Sequence, residues 1–181
     1  MTIDILFGPE EVADPKPRSI KFKQIKAVYE TLTVAEGAGN YLSPNIRYTS
    51  PTQIFDTFSF LQDETKEYFI ALHLDGKNRI LAVDISSIGS LNQSIVHPRE
   101  VFKVALLSSA AAIILMHNHP TGDPSPSSED LEVTRRLREA GELIGIKVLD
   151  HLIIGSTYYS FVERGVIWNV NRTEGRCSRE I

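Results

Sequence analysis

The stretch HNHPTGDPSPSSED, residues 117–130, sets two histidines one residue apart and closes on an aspartate. Side chains at i and i+2 of an extended segment point the same way, so His117 and His119 can face one point beyond a strand end. Pro120, Gly122, Pro124 and Pro126 stiffen and turn the chain. Ser127 and Asp130 then open a helix whose first turn can present a carboxylate to that same point. Two imidazoles and one carboxylate, with a fourth position left to water, are the donor set of catalytic rather than structural zinc. Bound zinc lowers the pKa of water toward ~7 and supplies hydroxide at neutral pH. A plainer reading stands beside this one. Ser-x-x-Asp also resembles a helix N-terminal cap, and acidic residues favour first turns in any case. Two histidines near a strand end can be satisfied structurally or simply exposed.

The flanking pattern supplies the elements that must position these residues. Ala110 to Met116 is a short apolar run that reads as a buried strand, feeding directly into His117. Upstream, Ser50 is a reasonable N-cap and Pro51 a good first helical residue, followed by Ile54, Phe55, Phe58 and Leu61 at helical spacing. EYFIALHLD and RILAVDISS flank DGKN (75–78), whose residues suit the turn of a hairpin. HPREVFKVALLSSA reads as a helix starting at Pro98, with Val101, Ala105 and Leu106 on one face. Residues 128–141 form another, with Leu131, Thr134, Leu137 and Leu143 near helical spacing and Gly141 near the end. IKVLDHLIIG and TYYSFVERG make a last strand pair. SIKFKQIKAVYETL (19–32) starts with strand-like alternation and can turn helical later, and residues 33–51 read as a loop or linker. The order is helix, two strands, helix, strand, helix, two strands, which predicts a single mixed α/β domain around one sheet.

Composition narrows the function. The chain has 181 residues, 42% hydrophobic and 23% charged. Such a chain can build a core without disulfides or a structural metal, so a metal here would serve function. The single cysteine, Cys177, excludes a disulfide framework and a thiolate zinc knuckle and fits a reducing cytosol. Acidic residues and prolines come too early for a signal peptide, and no apolar run is long enough to span a bilayer. The net charge of −4 predicts weak nucleic-acid binding at most. The clusters Lys21, Lys23, Lys26 and Arg135, Arg136, Arg138 read as solvated helix faces.

His-x-His, seven residues, Ser, two residues, Asp resembles the metal signature of the JAMM (JAB/MPN+) metallopeptidases. With HPREVFK upstream and LDHLIIG downstream, the chain resembles the RadC branch of that family over roughly residues 50–167. The resemblance implies His117, His119 and Asp130 as ligands of one zinc ion, and Ser127 as a residue that helps stabilise an oxyanion. It implies a curved mixed sheet packed between helices, similar to cytidine deaminases, and hydrolysis of a peptide or isopeptide bond, often at ubiquitin-like tails. It also divides the chain into a variable segment at 1–49, the RadC-like domain at 50–168 and a polar tail at 169–181. The RadC branch carries an old DNA-repair label. RadC-like chains commonly bear an N-terminal helix-hairpin-helix segment; residues 1–50 here are shorter and their GAGN is poor evidence for such a hairpin, which weakens a DNA-binding inference.

In JAMM proteins the proton-transferring glutamate comes upstream of His-x-His, near an early strand. The match to EYFIALHLD implies Glu67, with Glu64 and Glu100 as rivals. Glu100 and His97 also fit a helix-capping arrangement around Pro98. Asp150 and His151 interrupt an apolar strand and need partners, either as supports for the ligands or as ordinary core or edge residues. His73, Tyr158, Tyr159 and Trp168 read as structural. The first expectation is therefore a cytosolic zinc hydrolase acting on a peptide or protein substrate, a ubiquitin-like conjugate included. The second is a RadC-like binding module for DNA transactions or protein recruitment without turnover, and the third a metal-free scaffold. Substrate choice would lie in surface loops such as 86–97.

Overall fold

Serine, proline and histidine start the helices as their chemistry dictates. In the computed structural model, which describes residues 47–89 and 96–166, helix α1 spans Pro51–Phe58. The Ser50 side chain accepts from the Gln53 N–H, and Pro51 stands where a missing N–H costs nothing. A 3-10 turn, Ser59–Asp63, continues it and buries Leu61. Helix α2, Pro98–Leu107, is capped by His97, whose Nδ1 accepts from the Arg99 N–H at 3.0 Å. Helix α3, Ser128–Ile144, is capped by Ser127. The readings made for residues 19–32, the lysine cluster, Trp168 and Cys177 lie outside the described residues.

The strands are β1 Tyr68–Leu74, β2 Ile80–Ile88, β3 Ala112–Asn118, β4 Lys147–Ile154 and β5 Tyr158–Ser160. They form one mixed sheet in the order β2-β1-β3-β4-β5. Only β3 and β4 run parallel, with α3 as their crossover; the other pairs are antiparallel. The element order is the one the sequence predicts, and the mixed α/β fold class holds.

Alternation along the central strands sorts the core into two layers. Phe69, Ala71, Ile113 and Leu115 pack against Val101, Phe102 and Ala105 of α2 and Val133 and Leu137 of α3. Ile70, Leu72, Leu74, Ile114 and Met116 face the other way, onto Ile54 and Phe58 of α1. The sheet thus lies between helices, and every residue of β3 is buried. A strand covered on both faces reads as a continuous apolar run, and any polar group it carries must find a partner.

Two helix faces differ from expectation. Leu106 is 56% exposed, and the buried face of α2 is Val101, Phe102 and Ala105. On α3 Leu143 is 89% exposed and Leu131 is exposed too, whereas Asp130, Val133, Thr134, Leu137 and Gly141 face inward. Gly141 does not end the helix. A Cβ there would lie 2.5 Å from the Ile146 carbonyl oxygen and 3.1 Å from the Phe102 ring, so it is a close-approach residue. The helix ends at Gly145, at φ 85°, the left-handed conformation that glycine adopts without steric cost.

The β1–β2 turn is fixed by one carboxylate. Asp75 accepts from the Lys77 N–H at 2.8 Å, the Arg79 N–H at 3.0 Å and Arg79 Nε at 2.7 Å. These bonds, those from Arg79 foremost, hold its carboxyl down from 3.8 to about 2. A carboxyl depressed on folding contributes stability above its unfolded value and loses it as pH falls through the folded one. The turn should therefore loosen as pH drops from about 4 to about 2. Carbon-13 titration of Asp75 should give a midpoint near 2, with the amide signals of Lys77 and Arg79 moving along with it; a midpoint at 3.8 would show that the bonds do not form.

Candidate metal centre

β3 ends in His117 and Asn118, both fully buried, and His119 follows just beyond the strand. Across from them the first turn of α3 offers Asp130, also buried. His117 Nε2 lies 3.1 Å from His119 Nε2 and 3.2 Å from Asp130 Oδ1, and His119 Nε2 lies 3.5 Å from Asp130 Oδ2. Among the described residues these three form a group able to hold a metal ion, their donor atoms all within 4.8 Å of one another. Each imidazole turns its other nitrogen outward. His119 Nδ1 donates to the Asp123 carbonyl at 2.7 Å, and His117 Nδ1 lies 2.9 Å from Nε2 of His151.

The cap and the candidate metal site are one arrangement. Ser127 Oγ accepts from the Asp130 N–H at 3.1 Å and donates to Asp130 Oδ2 at 2.7 Å; the Ser127 N–H donates to Oδ2 at 2.8 Å. This reciprocal capping box satisfies two orphan donors of the helix start. It occupies Oδ2 and leaves Oδ1 facing His117. The proline-rich segment between is pinned at its middle. Gly122, at φ 80°, accepts from the Ser156 N–H at 2.7 Å, and a Cβ on Gly155 would come within 2.4 Å of the Gly122 carbonyl oxygen. The His119 N–H donates to Ile154 O at 2.8 Å, extending the β3–β4 pairing by one residue.

Charge at the centre is concentrated on one carboxylate. Burial pushes His117 below its ordinary range, with Asp130 opposing. Hydrogen bonding to Asp130 pushes His119 up, against its partial burial. Burial would raise the Asp130 carboxyl, but its close contacts with His117, His119 and the Ser127 hydroxyl outweigh it and hold the group well below the ordinary value. Although both histidines lie within ion-pair distance of Asp130, the downward shift of the fully buried ring makes His117 the neutral one. Two imidazole nitrogens and a carboxylate oxygen converging on one point suit a divalent first-row transition metal, so the residues present fit such an ion.

Glu67 stands beside this group. It immediately precedes β1, whose Phe69 pairs with His117 of β3. Its charge acts on both histidines, raising each. Asn118 holds the backbone on both sides of Glu67: its Oδ1 accepts from the Tyr68 N–H at 2.8 Å and its Nδ2 donates to Lys66 O at 2.9 Å. Glu100 sits on the exposed start of α2, paired with Arg99 and Lys103, and Glu64 ends the 3-10 turn. Asp150 is buried and accepts from Ser160 Oγ, the His151 N–H and the Val162 N–H, tying β4 to the segment after β5. His73 is buried against Ser108, and Tyr158 reaches Thr52 across to α1. Arg135 and Arg138 pair with glutamates of their own helix.

Sequence reasoning passed over Asn118 and Thr134. The signal for Asn118 was a polar residue between two histidines on a strand buried on both faces. Thr134 was read as part of a helical period, although it stands one turn beyond Asp130.

Residues 48–166 match the family model of the RadC-like JAB domain. The chain is 65% identical over 123 residues to a UPF0758 protein of Geotalea uraniireducens (strain Rf4), covering 67% of this chain and 54% of the relative. It is 47% identical over 150 residues to a UPF0758 protein of Methanosarcina mazei, covering 81% and 64%. The fold, the match and these relatives agree: the chain belongs to the RadC-like JAB domain family. It spans between about half and two thirds of the length of these relatives. No helix among the described residues is long and apolar enough to cross a membrane.

Because one hydroxyl both caps α3 and orients the Asp130 carboxylate, Ser127→Ala should show two effects. Loss of the cap should cost about 1 kcal/mol in urea unfolding, and metal affinity should fall as Asp130 loses its hold. Unchanged stability would mean that the capping box contributes nothing.

Proposed function

We propose that this chain is a zinc-dependent hydrolase of the JAMM type that cleaves a peptide or isopeptide bond. The observation that carries the reading is the convergence of His117 Nε2, His119 Nε2 and Asp130 Oδ1 beside the carboxylate of Glu67. His117, His119 and Asp130 would hold the ion, leaving a fourth position open. Zinc, when bound, supplies a Lewis acid that polarises a carbonyl and lowers the pKa of water toward ~7.

The remaining work belongs to the protein. Glu67, held by the Asn118 clamp on its neighbours, takes a proton from the attacking water and returns it to the leaving nitrogen. Ser127 turns its hydroxyl from Oδ2 toward the oxygen that gains charge, while its backbone N–H keeps hold of the ligand carboxylate. Glu100 is less suited to the base role, since Arg99 and Lys103 already engage it on the helix surface. The expected substrate is a peptide or protein, a ubiquitin-like conjugate included, met in the cytoplasm.

Elemental analysis of protein prepared without chelator should find one zinc per chain. His117→Ala and His119→Ala should abolish it, and Asp130→Ala should weaken it strongly, since each removes one of three ligands. A chain that neither carries nor takes up zinc overturns the reading. Incubation with a library of peptides and isopeptide-linked conjugates, with and without chelator, should reveal cleavage that the chelator stops. On a substrate so identified, Glu67→Gln should keep the zinc and lower turnover about a hundredfold or more. Wild-type turnover in that variant, with loss in Glu100→Gln, would transfer the role to Glu100.

A further inference from the structure

Thr134 lies one helical turn after Asp130 on the buried face of α3. Its Oγ1 is 2.5 Å from the Asp130 backbone carbonyl oxygen and 2.6 Å from Nδ1 of His151. His151 Nε2 in turn is 2.9 Å from Nδ1 of His117. Thr134, His151 and His117 are all buried, so no solvent competes along this line.

The proton order of the line follows from its far end. A carbonyl oxygen only accepts, so the Thr134 hydroxyl donates to Asp130 O. Thr134 Oγ1 then offers only lone pairs to His151, and Nδ1 of His151 must carry that ring's proton. The neutral His151 has its lone pair on Nε2, so His117 must carry its proton on Nδ1. His117 Nε2 is thereby left bare, facing His119 and Asp130.

We propose that Thr134 and His151 are positioning residues that fix the His117 tautomer, so that its Nε2 is unprotonated and ready for a metal ion. This rests on the metal-centre reading above. The device is needed because the opposite order has its own support: Asp130 Oδ1, 3.2 Å from His117 Nε2, would accept a proton placed there. Without the Thr134 hydroxyl, His151 Nδ1–H has no acceptor, and a buried unpaired N–H is costly. His151 then moves its proton to Nε2 and donates to His117, whose own proton shifts to the nitrogen that faces the metal position. The backbone of the third ligand thus dictates the protonation of the first, through two residues that touch no metal.

The test uses the full chain, nitrogen-15 labelled, with long-range proton–nitrogen correlation of the histidine rings in metal-free protein. Zinc affinity is measured alongside by competition with a chromophoric chelator. Wild type should show His117 protonated at Nδ1, and Thr134→Val at Nε2, with zinc affinity reduced about 10- to 100-fold. Thr134→Ser, which keeps the hydroxyl, should restore both. Thr134→Ala, a good helix former, replaces the valine variant should that one fold poorly. If the hydroxyl-free variants lose stability but keep His117 protonated at Nδ1 and bind zinc as wild type does, Thr134 is only a packing residue and the proposal fails. A wild-type chain that binds no zinc sinks the hydrolase reading instead, and the tautomer spectra still decide the proton order.

Discussion

The carboxylate of Asp130 answers two demands at once, and the arrangement of the rest follows from how they are divided. A helix start buried against a sheet needs its free N–H groups satisfied. A metal position needs a negative oxygen that no other donor has taken. The capping box meets the first demand with Oδ2, at 2.7 and 2.8 Å from Ser127 Oγ and N, and leaves Oδ1 toward His117, where it could meet the second. Everything that fixes the approach of α3 to the end of β3 therefore also fixes the donor set. The proline turn, the contact of Gly155 with Gly122, and the close approach of Phe102 of α2 to α3 at Gly141 all serve this.

A wholly buried central strand carries a matching constraint. β3 ends in an imidazole and an amide with no exposure, and each must be satisfied by protein. Asn118 spends both ends of its amide on the backbone around Glu67. His117 spends Nδ1 on His151. Burial, which would penalise unpaired polar groups, thus becomes the means of positioning: the pairing that removes the penalty also sets the side chains at the strand end.

Sequence reading recovers those features that rest on short-range chemistry. Ser50–Pro51, His97–Pro98 and Ser127 mark helix starts because a cap and its helix are neighbours in sequence. The i, i+2 geometry of His117 and His119 needs only an extended backbone. The buried face of α3 was misread for a different reason. Hydrophobic periodicity favours Leu131 and Leu143, but the inward stripe includes Asp130 and Thr134, polar residues whose partners Ser127, His117 and His151 lie on that side. His151 drew notice as a polar interruption of a strand. Its contact with His117 arises from the parallel pairing of β3 with β4, across 34 residues of sequence, which no local pattern encodes. Glu67 is the intermediate case. Its place just before the first strand was legible, while its closeness to the two histidines depends on the pairing of β1 with β3.

The choice of a neutral partner for His117 has an electrostatic consequence. Metal-binding histidines often lean on a carboxylate, which adds negative charge behind the ring and strengthens its basicity. Here the ring behind His117 is another imidazole, held well below its ordinary range by burial first and by His117 second, and hence uncharged. The nearest alternative carboxylate on the same strand, Asp150, is directed to Ser160 and to backbone N–H groups. A divalent cation on His117, His119 and Asp130 would then meet one formal negative charge from its ligands and keep one net positive charge. In a site this buried, that residual charge is screened little. It would act on the groups around the site, Glu67 included, whose charge already reaches both histidines.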